Sequence, residues 1–146
     1  RLDSDIPPLL DVLQRIYPAH QISSHYPPGL SLPQDRDDML ELLGNLLDNA
    51  CKYGHRQVHL QLQRGTTGWL ISVEDDGPGI ASADASHLLQ RGTRLDESGS
   101  GSGLGLAICQ DIINSYGGSL QLRERPQGGL RVQVELPDQP ISADAQ

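Results

Sequence analysis

The chain has 146 residues, which suits a single domain with a real core, since domains run to roughly 100–150 residues. A formal charge of −8 argues against nucleic acid as a partner, because that binding needs Lys and Arg to neutralise phosphates; an anionic ligand has to be held by local features. With 36% apolar residues, no Phe, one Trp and four Tyr, the core has to be aliphatic, and no apolar run approaches the ~20 residues that cross a bilayer.

In chain order, Asp5 to Ile16 is predicted as a first helix: Asp5 stands where a cap belongs, Pro7 fits the first turn, and Ile6, Leu9, Leu10, Leu13 and Ile16 keep helical spacing. Gln21 to Ser24 reads as a short strand, and a second short strand is expected near Leu32 after the turn residues Pro27-Pro28-Gly29. Asp35 to Tyr53 is a longer helix stopped by Gly54. Arg56 to Arg64 alternates with Val58, Leu60 and Leu62 on one face, and Trp69 to Glu74 continues with Leu70, Ile71 and Val73; Thr66-Thr67-Gly68 between them makes a hairpin. After Asp75 to Ile80 a polar run rich in glycine and serine extends to Gly103, the candidate for a mobile segment. Leu104 to Tyr116 is a third long helix closed by Gly117-Gly118, and Ser119 to Arg125 pairs with Leu130 to Leu136 as a last hairpin.

Residues 1–137 are read as one domain and 138–146 as a disordered tail. This order predicts an α/β fold, with helices on one face of a mixed, largely antiparallel sheet. Cys51 and Cys109 fall inside predicted helices, where a reduced thiol packs as a small hydrophobe; neither a disulfide nor a metal site is expected of them. The start Arg1-Leu2-Asp3 has no signal-peptide pattern, so the segment is expected neither to span a membrane nor to be secreted.

Three constellations carry chemistry. On the second helix, at about 100° per residue, the leucines from Leu40 to Leu47 and Ala50 occupy one arc while Glu41, Asn45, Asn49 and Lys52 gather opposite. A solvated polar face would suffice, but Asn is a poorer helix former than Gln, Glu or Lys, so something besides helix stability selects it. An amide oxygen suits a hard cation such as Mg²⁺, and a lysine one turn away could meet phosphate oxygens held by that cation. Next, Asp75-Asp76-Gly77-Pro78-Gly79-Ile80 ends a strand with a turn; as more than a turn, its glycines would admit a flat ligand and Asp75 could read an exocyclic amine. Finally, Gly99-Ser100-Gly101-Ser102-Gly103-Leu104-Gly105 opens a helix; it could be a linker, but a glycine-rich helix N-terminus offers free N–H groups and a favourable dipole to phosphate. It matches neither the Rossmann fingerprint nor a P-loop.

In this order and spacing the three resemble the N, G1 and G2 boxes of the GHKL superfamily, which joins histidine kinases, type II topoisomerase ATPase domains, a heat-shock chaperone and MutL mismatch-repair proteins. The likeness covers roughly Asp35 to Leu136. Asn45-Leu46-Leu47-Asp48-Asn49-Ala50-Cys51-Lys52-Tyr53 is similar to the histidine-kinase N box, and Arg91-Gly92-Thr93-Arg94-Leu95-Asp96 with the Asp75 turn resembles PhoQ-type sensor kinases. The resemblance implies a two-layer Bergerat-type sandwich, a mixed sheet against three helices with a flexible ATP lid. It implies that Asn45 and Asn49 hold Mg²⁺, that Lys52 and Arg94 meet the phosphates and that Tyr53 stacks near adenine. Asp75 would bond the adenine amine, Gly77, Gly79 and Ile80 would shape its pocket, and Gly101, Ser102, Gly103, Leu104 and Gly105 would wrap the triphosphate. Arg91 would anchor the lid. The lid departs from the family pattern: Leu88 and Leu89 stand where a phenylalanine is expected, Ser102 replaces a glutamine and Gly99 an arginine.

The implied reaction is phosphoryl transfer from ATP, which needs mainly positioning and neutralisation of the phosphates. None of His20, His25, His55, His59 or His87 has the helical context of a phosphoacceptor, so the acceptor is expected on a separate dimerisation hairpin of the same kinase, with a response regulator as the next partner. The resemblance further implies a homodimeric full-length protein anchored in the bacterial inner membrane, of which this chain would be the cytoplasmic domain. Glu41 keeps a rival open: in the superfamily's ATPases a glutamate there activates water, whereas in a kinase it would tune the site. A regulatory module that binds nucleotide without transferring phosphate is the other.

Overall fold

The computed structural model describes residues 2–53, 56–77 and 102–138. A short 3-10 turn at Leu2–Ser4 leads into α1 (Ile6–Ile16); β1 (Gln21–His25), α2 (Arg36–Tyr53), β2 (Gln57–Arg64), β3 (Gly68–Asp75), α3 (Ser102–Ser115), β4 (Ser119–Glu124) and β5 (Leu130–Pro137) follow. The strands form one open sheet in the order β1-β2-β3-β5-β4. Among the described residues β1 pairs with β2 in parallel and the other three pairings are antiparallel. The mixed, largely antiparallel sheet with helices on one face is therefore the architecture found.

The local reasons are legible at the helix ends. Asp35 Oδ1 accepts the N–H groups of Asp37 and Asp38 at 2.7 and 3.1 Å, a side-chain cap that starts α2. α3 ends in a Schellman turn, with Gly118 N–H on Ile113 O at 2.9 Å, Gly117 N–H on Asn114 O at 3.0 Å, and Gly117 at φ 73°. α1 starts differently from expectation, because Asp5 makes no side-chain cap bond. A cap bonds the second or third N–H of its helix, and here those positions are Pro7 and Pro8, which have none. The Asp5 carboxylate instead takes the Arg36 guanidinium on both oxygens at 2.9 Å, tying α1 to the start of α2.

The strand expected near Leu32 does not form. The Leu30 carbonyl accepts the N–H groups of Leu2 and Asp3, so this segment bonds to the N-terminal turn, and Pro33 has no N–H to offer a ladder. On β3 the inward set is Trp69, Ile71 and Val73, with Leu70 turned to the open face. Together with Val58, Leu60 and Leu62 of β2 and Val132, Val134 and Leu136 of β5 they meet Leu42, Leu43, Leu46 and Leu47 of α2 and Cys109 and Ile113 of α3 in one aliphatic core. Chain order past β5 persists one residue into the expected tail: Asp138 N–H bonds Thr67 O, and its carboxylate receives Arg64 on both oxygens at 2.7 Å. Residues 139–146 lie outside the described residues, and no helix among those described is long and apolar enough to cross a membrane.

Candidate functional site

The antiparallel β2–β3 register sets Asp75 opposite Val58, and β5 sets it opposite Leu130. Alternation along β3 turns Asp75 to the helix-covered side, where it is 4% exposed. Its Oδ1 accepts Gly77 N–H at 2.8 Å, an Asx turn that fixes the corner, and Leu130 N–H bonds the same carboxyl. Burial pushes the Asp75 pKa above the usual carboxylate value, against the pull of those two N–H groups and of Arg125. Arg125 also donates to the Asp75 carbonyl at 2.7 Å, and Gly129, at φ +104°, packs so closely that a Cβ there would lie 1.9 Å from that oxygen. Asp76 seals the other side by accepting the Arg56 and Gln57 N–H groups at 2.9 and 3.0 Å. The Asp-Asp-Gly sequence is thus a held corner with a buried carboxylate at its centre.

The helices bring the other pieces to this corner. Tyr116, just past α3, donates its hydroxyl to Asp38 and accepts Asp35 N–H, while Cys109 in mid-α3 points its thiol at the Leu42 carbonyl. Later residues of α3 thus meet earlier residues of α2, so the two helices run antiparallel. At about 1.5 Å per residue, the first turn of α3, Ser102 to Gly105, falls level with the stretch Asn45 to Asn49 of α2. Electrostatics reports the same closeness. The Cys51 thiol is pushed up to about 12 by burial first and then by the carboxylates of Asp48 and Asp75, and that of Cys109 up to about 12 by burial and then Glu41.

On the polar face of α2, Glu41 is exposed and Asn45 and Asn49 are half-buried. Asn45 anchors itself by donating its amide nitrogen to the Glu41 carbonyl at 2.8 Å, which leaves the amide oxygen as the atom that suits a hard cation. Asp48, between the asparagines, accepts the Tyr17 hydroxyl at 2.6 Å and pairs with Lys52 at 3.5 Å. Burial and the Asp48 charge hold the Tyr17 hydroxyl far above its ordinary pKa, so it stays protonated and donating. Among the described residues no three His, Cys, Asp or Glu side chains gather as a metal site.

Asn45, Asn49, Lys52, Asp75, Gly77 and the α3 first turn that holds Ser102, Gly103, Leu104 and Gly105 are therefore brought to one end of the fold. Gly79, Ile80, Arg91, Arg94 and Gly101 lie outside the described residues, as do the side chains of Tyr53, Ser102 and Leu104. Sequence reasoning missed Tyr17, Arg125 and Gly129. Arg125 and Gly129 sit 50 or more residues from Asp75, and only the β3–β5 register would have revealed them. Of the histidines, His59 bonds Ser23 on the open face at 2.8 Å, and His20 and His25 lie off the helices.

Residues 34–140 match the family model described as histidine kinase-, DNA gyrase B-, and HSP90-like ATPase. The sensor protein kinase CarS of Pseudomonas aeruginosa is 52% identical over 134 residues, covering 91% of this chain and 30% of that protein. The sensor protein PhoQ of Escherichia coli K12 is 36% identical over 135 residues, covering 88% of this chain and 28% of its own length. The chain thus spans under a third of the relatives it matches. Among solved structures, a mycobacterial sensor histidine kinase, MprB, superposes with a TM-score of 0.81 at 25% identity, over 96% of each chain. The catalytic domain of the histidine kinase ThkA, at 23% identity, shares the fold with a TM-score of 0.80 over 95% of this chain and 91% of that one.

Proposed function

The chain belongs to the histidine kinase-, DNA gyrase B-, and HSP90-like ATPase family, and from that membership we propose that it is the catalytic domain of a two-component sensor histidine kinase, which binds Mg-ATP and passes the γ-phosphate to a histidine on a separate dimerisation hairpin. The observation that carries this is the convergence of the α2 asparagine face, the glycine-bearing first turn of α3 and the buried Asp75 at one end of the sheet.

In this reading Asp75 accepts a hydrogen bond from the adenine amine, from a carboxylate already held in place by Gly77 and Leu130. The first turn of α3 presents its backbone N–H groups and positive dipole end to the phosphates, and Lys52 neutralises them with Arg94. The oxygens of Asn45 and Asn49 would hold Mg²⁺, which when bound would draw charge off the phosphate oxygens. By the family resemblance Tyr53 would stack near the adenine, Gly79 and Ile80 would complete its pocket, and Gly101 would continue the phosphate wrap. The whole protein is homodimeric and anchored in the bacterial inner membrane, this domain faces the cytoplasm, and a response regulator receives the phosphate.

Glu41, exposed and one turn before Asn45, favours a second reading as a hydrolytic ATPase of the same family. The two are separated by incubating labelled ATP with the domain, alone and with a cognate hairpin. A kinase labels the hairpin histidine and turns over little alone; brisk hydrolysis without the hairpin selects the ATPase. A nucleotide-binding module with no transfer activity would give neither.

A further inference from the structure

Tyr17 is the C-cap of α1, yet its hydroxyl reaches 31 residues along the chain to Asp48. It is held from three sides: its N–H bonds Leu13 O at 2.8 Å, its carbonyl accepts the Gln14 amide at 3.2 Å, and its ring stands edge-on to His20 at 5.4 Å. The two oxygens of Asp48 divide their work, Oδ1 taking the tyrosine and Oδ2 facing the Lys52 ammonium one helical turn on. An exposed lysine–carboxylate pair on a helix is ordinarily loose, since two flexible side chains must be ordered for little gain. Here one partner is already fixed by a short charge-assisted hydrogen bond from a residue that is itself locked, so forming the pair costs less ordering than it would between two loose side chains.

We propose that Tyr17 is a positioning residue, which fixes the Asp48 carboxylate so that it holds the Lys52 ammonium at the mouth of the nucleotide cleft, ready for phosphate. The inference rests on the reading of Lys52 as a phosphate-binding residue. It adds that α1, outside the asparagine- and glycine-bearing segments, contributes to nucleotide affinity through one hydroxyl. A tyrosine hydroxyl is protonated at neutral pH in any case, and burial and the Asp48 charge extend its protonated, donating form to higher pH.

The test is calorimetry with a non-hydrolysable ATP analogue and with adenosine, on the wild-type chain, Tyr17→Phe, Lys52→Met and the double variant. Tyr17→Phe should weaken the ATP analogue roughly three- to tenfold and leave adenosine unchanged, since one hydrogen bond to a charged group is lost and only phosphate-bearing ligands meet the lysine. In the Lys52→Met background Tyr17→Phe should have no further effect. Additive losses, an equal loss for adenosine, or an unchanged ATP-analogue affinity would each overturn the relay while leaving nucleotide binding intact. A wild type that binds neither ligand would remove the nucleotide reading itself. Should Tyr17→Phe fail to fold, Asp48→Asn carries the same test, because it keeps the size of the side chain and removes the charge that holds the lysine.

Discussion

The β2–β3 hairpin has two ends, built from the same aliphatic strands to different purposes. At the turn end Gly68 lies so tightly against β5 that a Cβ would fall 2.0 Å from the Leu136 carbonyl. There Trp69 is buried, and Arg64 lies over its ring at 5.2 Å while gripping Asp138. The Arg64–Asp138 pair and the bond from Asp138 N–H to Thr67 O close the sheet at that end. At the other end the strand runs out in a carboxylate that is buried at a cost, raised in pKa and backed by a glycine with no room for a side chain. The difference teaches that one end is optimised for stability, while the other gives stability up to keep a charged acceptor under the helices, as functional sites do.

Four substitutions sharpen that contrast. Gly129→Ala should have the largest effect, about 3–4 kcal/mol of stability with nucleotide affinity falling at least about tenfold, because it combines a left-handed backbone with a collision at Asp75. Denaturant unfolding and calorimetry would read both. Gly68→Ala should cost a similar ~3 kcal/mol through its collision with β5, yet leave the affinity of the folded fraction unchanged; a loss of affinity there would dissolve the distinction between the ends.

Asp75→Asn should weaken an adenine nucleotide roughly 10- to 100-fold, the worth of a hydrogen bond to a charged group, and weaken adenosine as much. It should also raise the melting temperature near neutrality. A carboxyl whose folded pKa is raised destabilises the fold above that pKa and is relieved as pH falls toward the ordinary 3.8, so the advantage of the variant should shrink on acidification. Asp5 and Asp138, whose pKa values are lowered by Arg36 and Arg64, work the other way: their stabilisation is present above 3.8 and is lost as pH falls below it. A melting profile with the same pH dependence in wild type and Asp75→Asn would contradict the burial argument. Arg64→Ala should do least, a fall of about 1–2 °C with affinity untouched, since its ion pair with Asp138 is exposed to water.

Most of the fold was legible because it is written in short-range chemistry. Alternation of Val58, Leu60 and Leu62, the Asp35 cap and the Gly117-Gly118 stop need only neighbours to be understood. One failure has a local cause, since Asp5 was read as a cap although Pro7 and Pro8 remove the donors it would bind; the other is long-range, since Leu32 was read as a strand although the backbone of nearby Leu30 bonds to the N-terminal turn. That Asn45, Lys52, Asp75 and the glycine-rich helix start share one cleft was inferred from the order of the motifs; the antiparallel run of α2 and α3 brings the first turn of α3 against α2, and the charge of Asp75 acting on Cys51 marks the end of β3 as lying near the end of α2.

By itself, then, the sequence determined the helices, the strands of the sheet and the family likeness, because periodicity and turn chemistry act within a few residues. Only the tertiary structure decided that Arg125 and Gly129 brace Asp75 and that Tyr17 reaches Asp48. Those contacts depend on strand register and helix crossing, which arise from packing the whole core and leave no periodic trace in the chain.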